Sequence, residues 1–289
     1  MDLSVHPKSI VFVAQGALGD RVCAEPVVRS IRNTFPSSDL HVVGERCFFS
    51  HLKDVMIHEF EDRFNVQSVD VVMNSFHMQD RISVTCLHIV DFISLSTIGR
   101  CLPNREKKIS ISVSDDSLSK FSFVDRGSLL VHCGSTSENR TFPVEWWQEV
   151  VDLISKKRSL VFVGKSLESG KGFLEVTCPK GCLDLRNKTS LDDFIALVST
   201  NDLLTNDSFP LHAAGAFDNN IFVMPTARHP DHLLPFRNGS QSHKTKCFFK
   251  RLMSDDFFPW GTVFYDSIPQ GKNIMDYLPS PKDVCEGVQ

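Results

Sequence analysis

The chain has 289 residues, 42% of them hydrophobic and 23% charged, with 23 Phe against 2 Tyr and 3 Trp. That is a globular composition with ample core material, and the length suits two domains of ordinary size better than one. A formal net charge of −4 excludes a global attraction to nucleic acid or anionic lipid, so any such contact needs a local basic patch.

Nine cysteines, scattered from Cys23 to Cys285, show no paired spacing of the zinc type and point to reduced thiols. Near the start only Ile10–Ala14 is apolar, too short a run for a signal peptide. No stretch approaches the ~20 apolar residues of a membrane span. These features predict a soluble cytoplasmic protein, in which the sequons at Asn139, Asn187, Asn206 and Asn238 carry no glycan.

Taken in order, Ser9–Ala14 is a continuous apolar run, the mark of a central parallel strand. A glycine-bearing loop, Gln15–Asp20, leads into a helix expected from Arg21 to Thr34, which Pro26 either kinks or marks with a distorted first turn. Strands are expected at Asp39–Val43, Val55–Phe60 and Val69–Met73, followed by a mixed apolar stretch from Ile82 to Ile98. Apolar density falls between Arg100 and Gly127, which places a domain boundary at 126/127.

A second series then begins with strand Ser128–Cys133, helix Pro143–Lys156 and strand Ser159–Val163. Ser190-Leu-Asp-Asp193 reads as a capping box opening a helix. Asp202–Phe217 reads as a buried strand, a polar turn at Asn206-Asp207-Ser208, and a small-residue helix with Pro210 in its first turn. A strand end feeding a helix start offers backbone N–H groups to an anion. Strand Asn220–Met224 follows, and a terminal helix begins after Pro281. Alternation of this kind predicts an α/β protein of two Rossmann-like parallel-sheet domains, residues 1–126 and 127–289, facing each other across a cleft.

Four segments in register resemble a known family. Gly16-Ala-Leu-Gly-Asp-Arg-Val-Cys-Ala-Glu-Pro26 resembles the opening of the ADP-heptose:lipopolysaccharide heptosyltransferases. His132–Trp147 is similar to that family's donor-phosphate loop and following helix, Asp207-Ser-x-x-x-His212 to its D-[TS]-G-x-x-H motif, and Met224-Pro-Thr226 to its G-P-T. The resemblance implies a GT-B fold and inverting transfer of a sugar from a nucleotide-sugar donor to a hydroxyl acceptor. By default that acceptor is a saccharide of the lipopolysaccharide-core type. It further implies no metal and no cofactor, since the nucleotide-sugar is a substrate.

Inverting transfer needs a base for the acceptor hydroxyl and stabilisation of the departing diphosphate. The family match and its loop position make Asp20 the candidate base; the plainer alternative is a helix cap. Ser135, Thr136 and Arg140 are expected to hold the diphosphate, and Glu168 to accept from the donor's ribose. Asp207 and Ser208 are expected to read donor hydroxyls and phosphate, with His212 in support; the alternative for His212 is an ordinary core histidine. Phe209 and Met224 stand where the family has glycine, so the donor sugar need not be a heptose, and a sugar-nucleotide-binding protein without catalysis is a rival reading.

Lys244, Lys246, Lys250 and Arg251, with Phe248 and Phe249 among them, form a basic cluster expected to bind the acceptor; the plainer alternative is a solvated loop anchored in the core by the two Phe. A lipopolysaccharide acceptor would place the protein at the inner membrane's cytoplasmic face. The second candidate acceptor is DNA carrying hydroxymethylated bases, met in a host cytoplasm if the chain is viral. Val163-Gly-Lys-Ser166 lacks the first glycine of a P-loop, and the acidic pairs at 115–116, 192–193 and 255–256 read as helix caps or solvated charges rather than metal ligands.

Overall fold

The computed structural model describes residues 7–62, 69–75, 87–135, 137–165, 176–255 and 268–288. The chain divides into two compact units, Met1–Ser112 with Pro235–His243, and Val113–Leu234 with Lys244–Gln289. This division differs from the expected 126/127 boundary by a segment carrying one short helix, Asp115–Lys120.

The first unit contains β1 (Ser9–Val13), α1 (Leu18–Cys23), α2 (Glu25–Thr34), β2 (Asp39–Val43), α3 (Arg46–Phe49), β3 (Val55–His58), β4 (Val71–Asn74) and α4 (Ile89–Ile98). Its four strands are parallel, in the order β3-β2-β1-β4. β1 lies inside the sheet with Ile10 and Phe12 fully buried, which is why its sequence is apolar without alternation. The expected helix from Arg21 is two helices, α1 starting earlier at Leu18 and α2 restarting at Glu25. Pro26 has no N–H for the Val22 carbonyl and its ring crowds that oxygen, so the chain breaks there and Pro26 enters the first turn of α2. The neighbouring Glu25 is fully buried. It accepts from Arg29 Nε at 3.0 Å and from the Ser110 N–H at 2.9 Å, and lies 3.1 Å from His51 Nε2. Such partners are what a buried carboxylate requires. Of the apolar stretch from Ile82, residues 82–86 lie outside the described residues, and the rest leads into α4.

The second unit contains α5 (Asp115–Lys120), β5 (Leu129–His132), α6 (Val144–Ile154), β6 (Leu160–Phe162), β7 (Leu183–Asp184), α7 (Leu191–Thr200), β8 (Asp202–Asn206), α8 (Phe209–Ala214), β9 (Ile221–Met224), α9 (Pro230–Leu233), β10 (Thr245–Cys247) and α10 (Pro281–Gly287). Six parallel strands run in the order β10-β9-β8-β5-β6-β7. Alternate residues serve opposite faces, as the strand period demands. Leu129, Val131, Leu204 and Met224 pack with Trp146, Trp147 and Val150 of α6 and Val284 of α10. Leu130, Leu203 and Val223 pack with Phe194 and Leu197 of α7 and Leu211 of α8. Phe142, Trp146 and Trp147 form a three-ring cluster with centroids 5.3–5.6 Å apart. Each such ring contributes roughly 2–3 kcal/mol by leaving water.

The Ser190 capping box is present: Ser190 Oγ accepts from the Asp193 N–H at 3.1 Å, and Asp193 returns a carboxylate to the Ser190 N–H at 3.1 Å. β10 was not expected, because the basic cluster containing it has no apolar alternation. It forms by adding to the open edge of β9.

Candidate active site

In the second unit, β5, β8 and β9 are neighbours that end together. His132 pairs with Thr205 and Asn206 with Met224, so the segments after the three strands, 133–140, 206–208 and 225–228, emerge side by side. Long-range hydrogen bonds lock them. The fully buried Asn206 amide donates to the Gly134 carbonyl at 3.1 Å and to the Arg140 carbonyl at 2.9 Å, and accepts from Ser208 Oγ at 2.8 Å. Thr226 Oγ1 donates to the Asn139 carbonyl, and the Met253 N–H donates to the Thr226 carbonyl at 2.7 Å.

Arg140 is held within this framework. Its Nη1 donates to the Asp207 carbonyl at 3.0 Å and its Nη2 to Ser137 Oγ at 2.5 Å. Both acceptors are neutral, and no ion pair joins Arg140 to another described residue. The guanidinium is therefore oriented without its charge being spent. Ser135 is buried and its Oγ accepts from the Ser137 N–H at 3.2 Å, which shapes the loop. Thr136 and Glu168 lie outside the described residues.

Asp207 is 6% exposed, with its backbone carbonyl under Arg140. Ser208 occupies the N-cap position of α8 but does not cap it; the hydroxyl turns back to Asn206. α8 is six residues long, so the anion site expected at its N-terminus draws little from a helix dipole and rests instead on Arg140. His212, half-buried on α8, is pushed down to about 4 by burial; the Asp207 carboxylate opposes this, and Arg228 and Arg140 add to it. The imidazole is neutral at pH 7.

The two departures from the family pattern point into the core. Phe209 packs on Phe194, with ring centroids 5.7 Å apart, and its φ is not positive, so the turn makes no demand for glycine. Met224 is fully buried on the α6 side of the sheet.

Sequence reasoning overlooked His132, Asn206, Thr226 and Arg228. His132 is buried, pushed down to about 4 by desolvation, with Nδ1 3.4 Å from both Thr205 Oγ1 and Ser208 Oγ. The decoy glycine, Gly164, has φ +95° and lies against this ring; a Cβ there would sit 2.6 Å from His132 Cδ2.

In the first unit, Asp20 is the third residue of α1, half-buried, and its carboxylate accepts from the Ala17 N–H at 2.9 Å. The helix cap is thus real. The loop before it is pinned by the Gln15 N–H on Ser75 Oγ at 2.8 Å and by Arg21 Nε on the Gly16 carbonyl at 2.8 Å.

The basic cluster is spread out. Lys244 lies beside the start of β9, φ +48°, and pairs with Asp218 at 2.6 Å. Lys246 lies 5.4 Å above the Phe248 ring. Lys250 and Arg251 are exposed, and follow β10 by three and four residues. Among the described residues no group of three or more His, Cys, Asp or Glu is arranged to hold a metal, and no helix is long and apolar enough to cross a membrane.

These features can be set beside known proteins. No curated protein sequence matches significantly. Solved structures do. A glycosyltransferase of family 9 from Veillonella parvula is 17% identical, with 99% of this chain and 97% of that one covered and a TM-score of 0.65. The ADP-heptose LPS heptosyltransferase II of E. coli is 16% identical, with 96% of each chain covered and a TM-score of 0.64. The iron-containing dodecameric heptosyltransferase TibC of enterotoxigenic E. coli, in complex with ADP-D-β-D-heptose, is 13% identical, with 98% and 75% covered and a TM-score of 0.69. At these identities the likeness concerns the fold, which is the expected α/β class of two Rossmann-like parallel-sheet units, GT-B. Sequence supplies the rest: the profile of glycosyltransferase family 9 (heptosyltransferase) matches residues 58–238, which include the 132–147, 207–212 and 224–226 motifs. A parallel-sheet fold shared with heptosyltransferases and a family match over most of the chain lead to one conclusion: this chain belongs to glycosyltransferase family 9, the heptosyltransferases, and is a glycosyltransferase.

Proposed function

We propose that the enzyme is an inverting glycosyltransferase that moves a sugar from a nucleoside-diphosphate donor to a saccharide hydroxyl of the lipopolysaccharide-core type. The observation that carries the donor reading is Arg140, a guanidinium fixed by neutral acceptors between Asp207 and Ser137. An anion arriving there meets a pre-oriented guanidinium that has no ion-pair partner among the described residues. Asp207 and Ser208 beside it supply an acceptor and a hydroxyl for sugar or phosphate oxygens, with Ser135 on the neighbouring loop; the roles expected of Thr136 and Glu168 stand as sequence expectations. His212, neutral, is a hydrogen-bonding partner rather than a second charge.

Asp20 is the base in this reading. It takes the proton of the acceptor hydroxyl as that oxygen attacks the anomeric carbon, and the nucleoside diphosphate leaves with the bond's electron pair. No metal or cofactor enters the step. The relatives named for ADP-heptose make an ADP-linked sugar the first donor to try. The inward packing of Phe209 and Met224 supports catalysis over a binding-only role, since neither side chain blocks the donor loops. The relatives lend no support to a DNA acceptor. Lys250 and Arg251 remain candidate acceptor contacts, whereas Lys244 is already paired with Asp218. The free thiols of the described cysteines suit a reducing compartment, and we place the enzyme in the cytoplasm.

The test is to incubate the protein, with EDTA present, with ADP-heptose and other nucleotide sugars and with lipopolysaccharide core oligosaccharides. A mass increase of one glycosyl residue on the acceptor is expected. No transfer from any donor would overturn the reading.

A further inference from the structure

We propose that Arg228 is a second phosphate-binding cation, acting with Arg140 on the donor's diphosphate; this rests on the donor reading above. No family motif singles out Arg228, and its place in the fold carries the argument. It follows β9 by four residues, on the segment whose start is level with Asp207 through the Asn206–Met224 register. That segment is fastened to the Arg140 loop by Thr226 Oγ1 on the Asn139 carbonyl, and from behind by the Met253 N–H on the Thr226 carbonyl. Arg228 is half-buried rather than fully solvated. His212 of the donor motif feels the charges of Asp207, Arg228 and Arg140, in keeping with that register. His232 also feels Arg228, along with His229 and Asp231.

The chemistry explains why one cation is insufficient. When the glycosyl–oxygen bond breaks, its electron pair stays on the terminal phosphate, and the nucleoside diphosphate leaves with one more negative charge than it had in the donor. In the metal-independent reading proposed above the protein itself meets that charge, and two guanidiniums meet it better than one. Burial keeps His212 neutral, so it adds a hydrogen-bonding group and no second charge.

The experiment measures binding of ADP, GDP, UDP, CDP and dTDP, each with its monophosphate, by calorimetry on wild type, Arg228→Gln and Arg228→Lys. Loss of one charge-assisted contact predicts about ten- to a hundred-fold weaker diphosphate binding in Arg228→Gln. Monophosphate binding should change by less than about threefold, and Arg228→Lys should recover part of the loss. The lysine variant keeps the charge and serves if the glutamine variant does not fold. A wild type that binds one of the diphosphates, with Arg228→Gln binding it equally, overturns this inference alone. A wild type that binds none overturns the donor reading as well. Equal losses for monophosphate and diphosphate would show a structural role and also overturn the inference.

Discussion

Replacing Asn206 with Ala tests the framework on which the donor loops depend. The side chain is fully buried and makes three hydrogen bonds of 2.8–3.1 Å, two to carbonyls of the 134–140 loop and one from Ser208. Truncation leaves the Gly134 and Arg140 carbonyls without this donor and opens a small void. At about 1 kcal/mol per lost bond, with a further ~1–2 kcal/mol for the stranded acceptor and the void, the cost is about 4–5 kcal/mol. For a unit of this size that lowers the unfolding midpoint by roughly 8–20 °C. The assay is thermal unfolding followed by near-ultraviolet circular dichroism, which reads the Trp146–Trp147 cluster of the same unit. Ser208→Ala, which deletes only the donor hydroxyl, should cost about 1 kcal/mol or less. A midpoint for Asn206→Ala within about 2 °C of wild type would refute the idea that this amide ties the loops together.

Three further outcomes are expected. His132 is buried with its pKa lowered to about 4, so between that value and the ordinary 6.5 the unfolded chain binds a proton that the folded chain does not. Stability is therefore flat above pH ~6.5 and falls as pH drops toward 4, by on the order of 3 kcal/mol from His132, while His212, lowered alike, adds a fall of its own; urea titrations should show a slope that decreases by about half, without vanishing, in His132→Gln. Gly164→Ala combines a left-handed φ of +95° with a Cβ 2.6 Å from His132 and should cost about 2–4 kcal/mol by chemical denaturation. Phe209→Gly restores the family residue but removes the ring packed on Phe194, so it should lose about 1–3 kcal/mol in the same assay and gain no donor affinity in calorimetry.

The strands were the most legible part of the sequence, because a parallel sheet covered on both faces leaves short unbroken apolar runs such as Ser9–Val13 and Leu129–His132. Helix starts were legible where a local code exists, as at Ser190-Leu-Asp-Asp193. Pro26 left two readings open, a kink or a first-turn position, and it stands in the first turn of α2, since one residue's sterics decide between the two. β10 escaped because an edge strand forms on its neighbour's open hydrogen bonds rather than on its own pattern. At the site, motifs pointed to Asp207, Ser208 and Arg140, but the residue joining them, Asn206, looked like a turn residue. Its role depends on carbonyls 66 and 72 positions away in sequence. Two of its four sequons fall on residues the fold buries, Asn139 and Asn206, for the same reason: long-range packing decided their use. Arg228 had no local signal, since an isolated arginine near His and Pro resembles any surface loop.

In the proposed mechanism Asp20 takes the acceptor's proton. The direct measurement is the rate of nucleoside-diphosphate release with donor and acceptor both present, alongside the donor's dissociation constant, in wild type and Asp20→Asn. Asn retains an oxygen for the Ala17 N–H, so the helix start survives the change. Turnover should fall by about 10²–10⁴-fold while donor binding stays within about threefold. Turnover at the wild-type rate would show that this carboxylate is a helix cap and nothing more.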